Sequence, residues 1–384
     1  MLTSYNLKMP KAVYSGEHAL DQIRTVVKGA RKIAVFSDKG IVGAGLLEHP
    51  LSILKETGAE VVVIDDLPTE PTCDQAQKIV DKFKSSGADF IVAVGGESVM
   101  DIAKLASILA TDEYGVRDLL DNPLVGRKCV RSLMIPTTAG TGSEATPNSI
   151  VAVPEKELKV GIVNTEMIAD AVILDAEMIR KLPRKIAAAT GVDALAHAIE
   201  CFTSKKANPF SDTFALEALD LILNNIEQAC DEPEAFEAKN KMLIGAFYAG
   251  IAITASGTTA VHALSYPLGG KYHIPHGVSN AMMLVPVMKF NEPVCRERFA
   301  EAYDRVAHGE NRALSVEEKS AWMIRRLDEI VNHLEIPTSL KEYGVPMEDL
   351  EILVSSGMEV QRLLVNNMRE VKAEDARRLY LEIM

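Results

Sequence analysis

The sequence lacks paired cysteine motifs, an excess of basic residues and long apolar runs, and each absence excludes a class of protein. Its five cysteines are widely spaced without any CxxC, which suits reduced thiols in a cytoplasm. Lysine and arginine number 41 against 54 acidic residues, a net charge of -13 with no clustered basic face, which argues against a nucleic-acid partner. No apolar run reaches membrane-spanning length, and the N-terminus has no apolar core of signal-peptide type. We therefore expect a cytoplasmic protein without a membrane partner.

The length of the chain exceeds what one ordinary hydrophobic core fills. At 384 residues it is predicted to form two domains. Its content of 47% hydrophobic and 25% charged residues is typical of a well-packed globular protein. No internal repeat or low-complexity segment interrupts this composition.

The first part of the chain alternates short, β-rich apolar runs with stretches of helical pattern. Buried strands are predicted at residues 32–37, 60–65, 90–95 and 132–137, and further strands at 149–153, 159–163 and 171–174. The alternation of strands with crossover helices predicts an α/β fold, in which helices cover both faces of a parallel sheet.

The second part of the chain has a different periodicity. From residue 187 onwards apolar residues recur at helical spacing almost to Met384. We place the domain boundary near residue 183, so that a parallel-sheet domain at 1–183 precedes an all-helical domain at 184–384. A cleft between two such domains is a preferred place for a ligand site, and we expect the substrate there.

Four residues in the apolar helical stretches have the chemistry of metal ligands: Asp193, His197, His262 and His276. Asp193 and His197 are four residues apart, so a helix places them one turn apart on one face, beside alanines that leave room for an ion. One carboxylate and three imidazoles suit a borderline divalent metal such as Fe2+ or Zn2+. The same spacing is also that of an ordinary hydrogen bond within a helix, so spacing alone leaves both interpretations open.

Two loops after predicted strands have the composition of ligand-binding loops. Gly95 and Gly96 precede a helix predicted to begin near Ser98, where free backbone amides attract a pyrophosphate. The loop at 136–146 contains five hydroxyl residues and two glycines. Each loop alone is also typical of a tight or solvated turn. Because both follow strands of a parallel sheet, where such sheets bind nucleotides, together they favour a nucleotide site.

Asp38 follows the strand predicted at 32–37. An acidic side chain there accepts hydrogen bonds from a ribose diol and repels a 2'-phosphate, which predicts NAD(H) over NADP(H). The same residue is also a good helix cap, and the two roles are compatible.

Five segments, VGGESVMDIAK, PTTAGTGSE, TGVDALAHAIE, AVHALSYPLGG and PHGVSNAMML, resemble in order and spacing the iron-containing (group III) alcohol dehydrogenases. The resemblance covers essentially the whole chain. It implies a dinucleotide-binding α/β domain, a helical metal domain, and interconversion of small alcohols with aldehydes or ketones by means of NAD and Fe2+. It implies Asp193, His197, His262 and His276 as metal ligands, and Gly95, Gly96, Ser98, Asp101, Thr137, Thr138, Thr141 and Lys159 as parts of the dinucleotide site. It also implies a homodimer or a higher homo-oligomer.

Three positions depart from the family pattern. Glu97 replaces a glycine beside the expected pyrophosphate, which should weaken its binding unless the carboxylate points away or pairs with a lysine. Glu70 replaces an asparagine, whose role is not carried over. Tyr266 replaces a histidine that is a proposed proton-relay group in relatives. His273 is therefore our first candidate for proton relay and Tyr266 the second, although a packed or surface His273 is an equal alternative.

Two other activities remain open at this stage. A hydroxyacid–oxoacid transhydrogenase branch of the superfamily also has tyrosine at the place of Tyr266. Dehydroquinate synthase-like lyases hold NAD and a metal but need several basic residues for their substrate. Between residues 245 and 290 the only basic residues of the lysine and arginine type are Lys271 and Lys289, which ranks the lyase below the dehydrogenase.

Overall fold

The computed structural model describes residues 4–111, 113–156, 158–309 and 313–384, and its chain divides into two compact units. One unit contains residues 8–138 and 142–181, and the other contains 4–7, 139–141 and 182–384. The first is an α/β unit and the second is helical. The predicted fold class, a parallel sheet followed by a helical part, is confirmed, whereas the assignment of dinucleotide binding to 1–183 and metal binding to 184–384 stays a prediction.

The α/β unit is built on a parallel sheet. Its strands are β1 (Ala12–Ser15), β2 (Lys32–Phe36), β3 (Glu60–Ile64), β4 (Phe90–Gly95), β5 (Arg131–Pro136), β6 (Asn148–Val153), β7 (Leu158–Val163) and β8 (Ala171–Leu174). Within the described residues six of them form one sheet in the order β1-β8-β5-β4-β2-β3, with every neighbouring pair parallel. All their carboxyl ends therefore meet at one edge of the sheet.

Helices separate most of these strands. They are α1 (Ile23–Val26), α2 (Lys39–Gly43), α3 (Glu48–Glu56), α4 (Cys73–Ser86), α5 (Glu97–Leu109) and α6 (Val116–Asp121). The core under one face of the sheet joins Ile33, Val92 and Leu133 on the strands to Ile53 and Leu54 of α3, all almost fully buried. Continuous apolar strands of this kind are expected where a parallel sheet is covered on both faces.

Two features of this unit were not predicted from the sequence: the separate pairing of β6 with β7, and the strand β1. β6 and β7 pair with each other in antiparallel fashion, in a separate two-stranded sheet. β1 has no counterpart among the predicted strands; it is an edge strand of four residues whose side chains alternate between half-buried and exposed. Such a short edge strand has little of the apolar signal by which buried strands are recognised.

The helical unit consists of packed helices of 4 to 31 residues. They are α7 (Arg184–Phe202), α8 (Pro209–Leu223), α9 (Ile226–Asp231), α10 (Phe236–Ala255), α11 (Ala260–Tyr272), α12 (His276–Val306), α13 (Val316–His333), α14 (Leu350–Glu359), α15 (Gln361–Leu364) and α16 (Ala373–Ile383). Throughout the described ranges, no single helix is both long and apolar enough to cross a membrane; α10 and α11 meet that test only as a pair bent by 105°.

Candidate metal centre and dinucleotide site

Three helices of the helical unit bring Asp193, His197, His262 and His276 together. The first two lie on α7, the third on α11, and His276 begins α12. One ligand atom from each residue lies within 4.8 Å of the others. Asp193 is the common neighbour, since its carboxylate oxygens lie 3.6 Å from His262 Nε2, 3.6 Å from His276 Nε2 and 3.9 Å from His197 Nδ1. The first three residues are buried and His276 is partly exposed.

Close packing of the backbone holds two of these helices against each other. Gly277, in the first turn of α12, lies so near α7 that an added Cβ atom would be 2.2 Å from the carbonyl oxygen of Ala189. No real side chain tolerates that distance, so glycine is required here. The absence of a side chain places His276 beside the α7 residues Asp193 and His197.

The donor set fits a divalent metal ion. Among the described residues, the buried His197 Nδ1 has no hydrogen-bond partner, which is costly unless something else takes its lone pair or proton. One carboxylate and three imidazoles with converging atoms are the ligands that Fe2+ and Zn2+ accept. The residues present therefore fit the metal that the sequence predicts.

Glu200 is a functional residue that the sequence analysis misses. It is fully buried on α7, and its Oε1 accepts hydrogen bonds from Thr259 N (3.0 Å), Thr259 Oγ1 (2.7 Å) and Val261 N (2.8 Å). Its Oε2 accepts a short hydrogen bond from His262 Nδ1. Because Nδ1 carries that proton, His262 presents Nε2 to the cluster, as in the carboxylate–histidine pairs behind many metal sites. A lone glutamate in the apolar run ALAHAIECF is the signal that points to it.

Asn280 is a second residue that sequence reasoning misses. It is fully buried on α12, one turn after His276, and its Nδ2 donates to Asp193 Oδ1 at 2.6 Å. The same nitrogen lies 3.1 Å from His276 Nε2 and 3.2 Å from His262 Nε2. A carboxamide thus stands among the ligand atoms, and the four-residue spacing from His276 could have indicated it.

The surroundings set the protonation of the cluster. Burial raises the pKa of Asp193, but the charges of His197 and His276 and the hydrogen bond to His262 outweigh it and hold that pKa well below its usual range. Burial lowers the pKa of His197 to about 4. Burial also lowers the pKa of His262, yet the nearby Glu200 and Asp193 carboxylates prevail and raise it to about 9. At neutral pH Asp193 and His197 are therefore already in metal-binding forms, and His262 must release a proton.

Four of the predicted dinucleotide residues lie at the carboxyl edge of the six-stranded sheet: Asp38, Gly95, Gly96 and Thr137. β2 pairs with β3 on one side and β4 on the other, so the strand order reverses there, a preferred place for nucleotides. Asp38 follows β2, and its side chain caps α2 by accepting from Ile41 N at 2.9 Å. Gly95 ends β4, and a Cβ atom there would lie 2.6 Å from Val99. Gly96 is the N-cap of α5.

The loop after β5 contains an unpaired hydroxyl. Thr137 is almost fully buried, its backbone N–H donates to Gly95 O at 3.0 Å, and its Oγ1 has no partner among the described residues. A buried hydroxyl beside the start of α5 fits a bound polar ligand. Thr138 follows it and is partly exposed. Thr141, four residues further along this loop, groups with the helical unit.

Asp101 is enclosed within the protein. The residue is 3% exposed, and its carboxylate accepts from Ser143 Oγ at 2.6 Å and Ile150 N at 2.7 Å and pairs with buried Lys104 at 2.8 Å. Lys104 Nζ also donates to Ser143 O at 3.0 Å. The arrangement anchors the loop that begins at Gly142 to α5, so Asp101 supports the loop. Glu144 in this loop is buried, and burial raises its pKa to about 7.

The remaining predicted residues have exposed positions or partners of their own. Lys159 forms an ion pair with Glu70 (2.8 Å), and the Glu70 N–H donates to Ser98 Oγ at 3.1 Å. His273 is exposed and ends α11 with a left-handed φ of 55°. The Tyr266 ring centroid lies 6.1 Å from that of His276. Tyr266 is thus beside the cluster, and His273 is at the chain's turn into α12.

Comparisons with known proteins agree with this geometry. The family model for iron-containing alcohol dehydrogenase matches residues 10–176, and that for the C-terminal part of the Fe-containing alcohol dehydrogenase family matches 187–384. Long-chain-alcohol dehydrogenase 1 of Geobacillus thermodenitrificans is 34% identical over 376 residues, 97% of this chain and 94% of that protein. 4-Hydroxybutyrate dehydrogenase of Clostridium kluyveri is 35% identical over 319 residues, 82% of this chain and 84% of that protein.

Solved structures show the same likeness over the whole length. A 1,3-propanediol oxidoreductase superposes with a TM-score of 0.94 at 28% identity, covering 100% of both chains. Sulfoacetaldehyde reductase from Bifidobacterium kashiwanohense, in complex with NAD+, gives a TM-score of 0.89 at 25% identity, covering 99% of both chains. The chain therefore belongs to the iron-containing alcohol dehydrogenase family and is an oxidoreductase of that family.

Proposed function

We propose that this enzyme transfers a hydride between NAD(H) and a small alcohol or aldehyde at a centre that holds Fe2+, with Zn2+ as the alternative ion. The observation that carries the proposal is the convergence of Asp193, His197, His262 and His276, with ligand atoms within 4.8 Å of one another, three of them buried. Burial of one carboxylate with two imidazoles, beside a partly exposed third, is costly for folding alone and is offset when an ion binds.

A bound divalent ion supplies Lewis-acid polarisation of a carbonyl or alcohol oxygen, and NAD supplies the hydride chemistry. The protein's own side chains prepare the site for both. Asp193 supplies the carboxylate of the metal centre. Glu200 fixes the His262 ring so that Nε2 faces the centre. His276, whose side chain is 31% exposed, lies on the open side, where a substrate can enter.

Two further side chains, in α11 and at its C-cap, are proposed to handle the proton and the substrate hydroxyl. His273 is exposed and can exchange protons with water. Tyr266, next to the His276 ring, offers a hydroxyl that can orient a substrate oxygen. Because a Lewis acid lowers the pKa of an alcohol, the site does not need a strong base in contact with the substrate.

The cofactor preference is proposed to be NAD over NADP because of Asp38. Its carboxylate follows β2 at the point where the strand order reverses. A ribose diol can donate hydrogen bonds to it, whereas a 2'-phosphate is repelled. The rest of the dinucleotide is proposed to be held by Gly95, Gly96, Ser98, Thr137 and Thr138. Lys159, Thr141 and the loop anchored by Asp101 are proposed to complete this site.

We propose small alcohols and aldehydes as the substrate class and do not name a single compound. The relatives described above are named for a long-chain alcohol, 4-hydroxybutyrate, 1,3-propanediol and sulfoacetaldehyde, so family membership alone does not select one compound. A homodimer or higher oligomer and a cytoplasmic location stay predictions from the sequence.

The test is NADH oxidation by anaerobically prepared, Fe2+-loaded protein with a panel of short aldehydes and 2-oxoacids. We expect turnover with at least one aldehyde, its loss on chelation and its return with Fe2+. Asp193→Asn is the matched control, since it keeps the shape of the side chain and removes its charge. Oxidation of NADH that is unaffected by both chelator and Asp193→Asn contradicts the proposal. Exchange between a hydroxyacid and an oxoacid without net NADH consumption identifies the transhydrogenase instead.

A further inference from the structure

Arg362 is an exposed arginine that lies over the ring of Tyr266, with its guanidinium carbon 5.9 Å from the ring centroid. It belongs to α15, which packs against α11 and is anchored by the buried Leu363 and Leu364. The Tyr266 ring lies in turn 6.1 Å from the ring of His276. Two ring contacts within the helical unit therefore connect a permanent positive charge with a predicted metal ligand.

No carboxylate of the protein neutralises this charge. Among the described residues, no ion pair or hydrogen bond joins the Arg362 guanidinium to another side chain. Lys271, the lysine of α11, differs because its ammonium pairs with Asp349 at 2.8 Å. The chain has 54 acidic residues against 41 basic ones, so a shortage of carboxylates does not explain the difference. The guanidinium is thus available to an anion that comes from outside the protein.

The chemistry of the guanidinium selects the kind of anion. Its N–H groups form a planar fork that matches the two oxygens of a carboxylate. A fully solvated ion pair has little affinity, because water competes for both partners. Tyr266 is partly buried and covers one side of the guanidinium, which reduces that competition. The arrangement suits a terminal oxyanion such as a carboxylate.

We propose that Arg362 determines substrate specificity, and that the substrate is an aldehyde or alcohol with an oxyanion at its far end. The oxyanion binds the guanidinium, the carbon chain lies along Tyr266, and the reacting oxygen points towards the metal centre beside His276. This inference rests on the proposed function and narrows its substrate class.

The ring contacts also limit the length of the substrate. An extended carbon chain gains about 1.3 Å per bond, so roughly four to five bonds match a separation of 5.9 to 6.1 Å. In 4-oxobutanoate the aldehyde oxygen and a carboxylate oxygen are five bonds apart. In a 2-oxoacid the carboxylate adjoins the reacting carbon, and it is too close to that carbon to reach Arg362.

The test compares 4-oxobutanoate with butanal, which has the same chain length and no charge. NADH oxidation is measured with the Fe2+-loaded protein. We expect wild type to have the higher kcat/KM with 4-oxobutanoate. Arg362→Met should lower that preference by roughly 10- to 100-fold, because charged hydrogen bonds are lost. Arg362→Lys should keep part of it, since the charge remains without the fork. Arg325→Met, at an exposed arginine of α13, is the matched control and should retain the full preference.

Succinate provides a second readout that needs no turnover, because it has oxyanions but no reducible carbonyl. Calorimetric titration should show that it binds Arg362→Met at least about tenfold more weakly than wild type. NADH is titrated in parallel, since the dinucleotide is also an anion. An equal loss of affinity for NADH would assign Arg362 to the dinucleotide phosphates and overturn the inference.

The two readouts separate this inference from the proposed function. If wild type turns over butanal as well as 4-oxobutanoate, or if its preference survives in Arg362→Met, the inference is wrong and the proposed function stands. If no aldehyde is turned over while succinate binding depends on Arg362, the proposed function is wrong and the anion site is supported.

Discussion

Glu200 and His262, which are 62 residues apart in the chain, are joined by a hydrogen bond from His262 Nδ1 to Glu200 Oε2 in the interior of the helical unit. The second oxygen of Glu200 is held by the backbone and hydroxyl of Thr259 and by Val261 N, at the start of the helix that carries His262. One carboxylate thus fixes both the beginning of α11 and the ring orientation of its ligand.

Glu200→Gln is expected to weaken metal binding by about 10- to 100-fold. The side-chain amide has the shape of the carboxylate, but if its nitrogen faces His262 it forces Nδ1 to accept, and the ring proton moves to Nε2, where the ion would bind. Chelator competition measures the change. Glu237→Gln, at a side chain that is 84% exposed, is the matched control, and equal affinities of the two variants would exclude this role for Glu200.

Asp193→Asn is expected to lower metal affinity by at least about 100-fold, because the carboxylate balances part of the charge of a divalent ion. NADH binding, followed by fluorescence, should persist, since only Thr141 of the predicted dinucleotide residues groups with the helical unit. Metal content after dialysis provides the first readout. A variant that retains stoichiometric metal would show that the Asp193 carboxylate is not required to hold the ion.

Asp38→Asn and Asp38→Ala separate the two roles of this residue. Asparagine is a good N-cap, so Asp38→Asn should keep the stability of wild type while raising the relative affinity for NADP(H) by about tenfold through loss of charge repulsion. Asp38→Ala should do the same to cofactor preference and also lose about 1 kcal/mol of stability. Binding titrations and urea unfolding measure the two effects. An unchanged NAD-to-NADP ratio in both variants would assign Asp38 to capping alone.

Glu144 is expected to make the protein less stable as the pH rises towards 8. Burial raises its pKa from an ordinary value of 4.5 to about 7, so the folded state favours the protonated form. The protonated form contributes about 3 kcal/mol to the free energy of unfolding. That contribution is fully present below pH 4.5 and is lost as the pH rises through 7. Glu144→Gln cannot ionise, so its stability relative to wild type should increase from pH 5 to pH 8. Thermal midpoints measured in parallel test this, and a constant difference would contradict it.

His273→Ala is expected to lower kcat by about 100-fold and to flatten its pH profile if His273 relays the proton. Tyr266→Phe should instead raise KM with little change in the pH profile, since it removes a hydroxyl that orients the substrate. His308→Ala is a suitable control because that histidine side chain is 62% exposed and pairs with Asp220. Identical rates and pH profiles for His273→Ala and wild type would remove His273 from the mechanism.

Much of the fold could be predicted because its signals are local. Phe90–Gly95 is a continuous apolar run, and a strand covered on both faces is recognised by such a run. The pairing of β6 with β7 could not be predicted in the same way, because apolar content indicates a strand but not its neighbour. The four-residue β1 has alternate exposure and hardly any apolar signal.

The candidate site was predictable only as far as its ligands share a helix or a motif. Asp193 and His197 are one turn apart, and their pairing follows from the helix itself. Glu200 and Asn280 each support a partner on another helix, and single-residue patterns do not specify which helices pack together. A buried charge in an apolar segment indicates that a partner exists, and only the tertiary structure identifies it.

Gly277, which has no side chain, allows the backbone of α12 to lie directly against that of α7. The distance between α7 and the start of α12 is set by main-chain atoms in direct contact, with no rotatable group between them. Side chains can repack when temperature, solvent or a bound ion changes, whereas backbone in contact has no such freedom. The spacing of His276 from Asp193 and His197 on α7 should therefore stay constant when conditions change. If one ion were exchanged for another, bond lengths and activity would change, while the two helices would keep their separation.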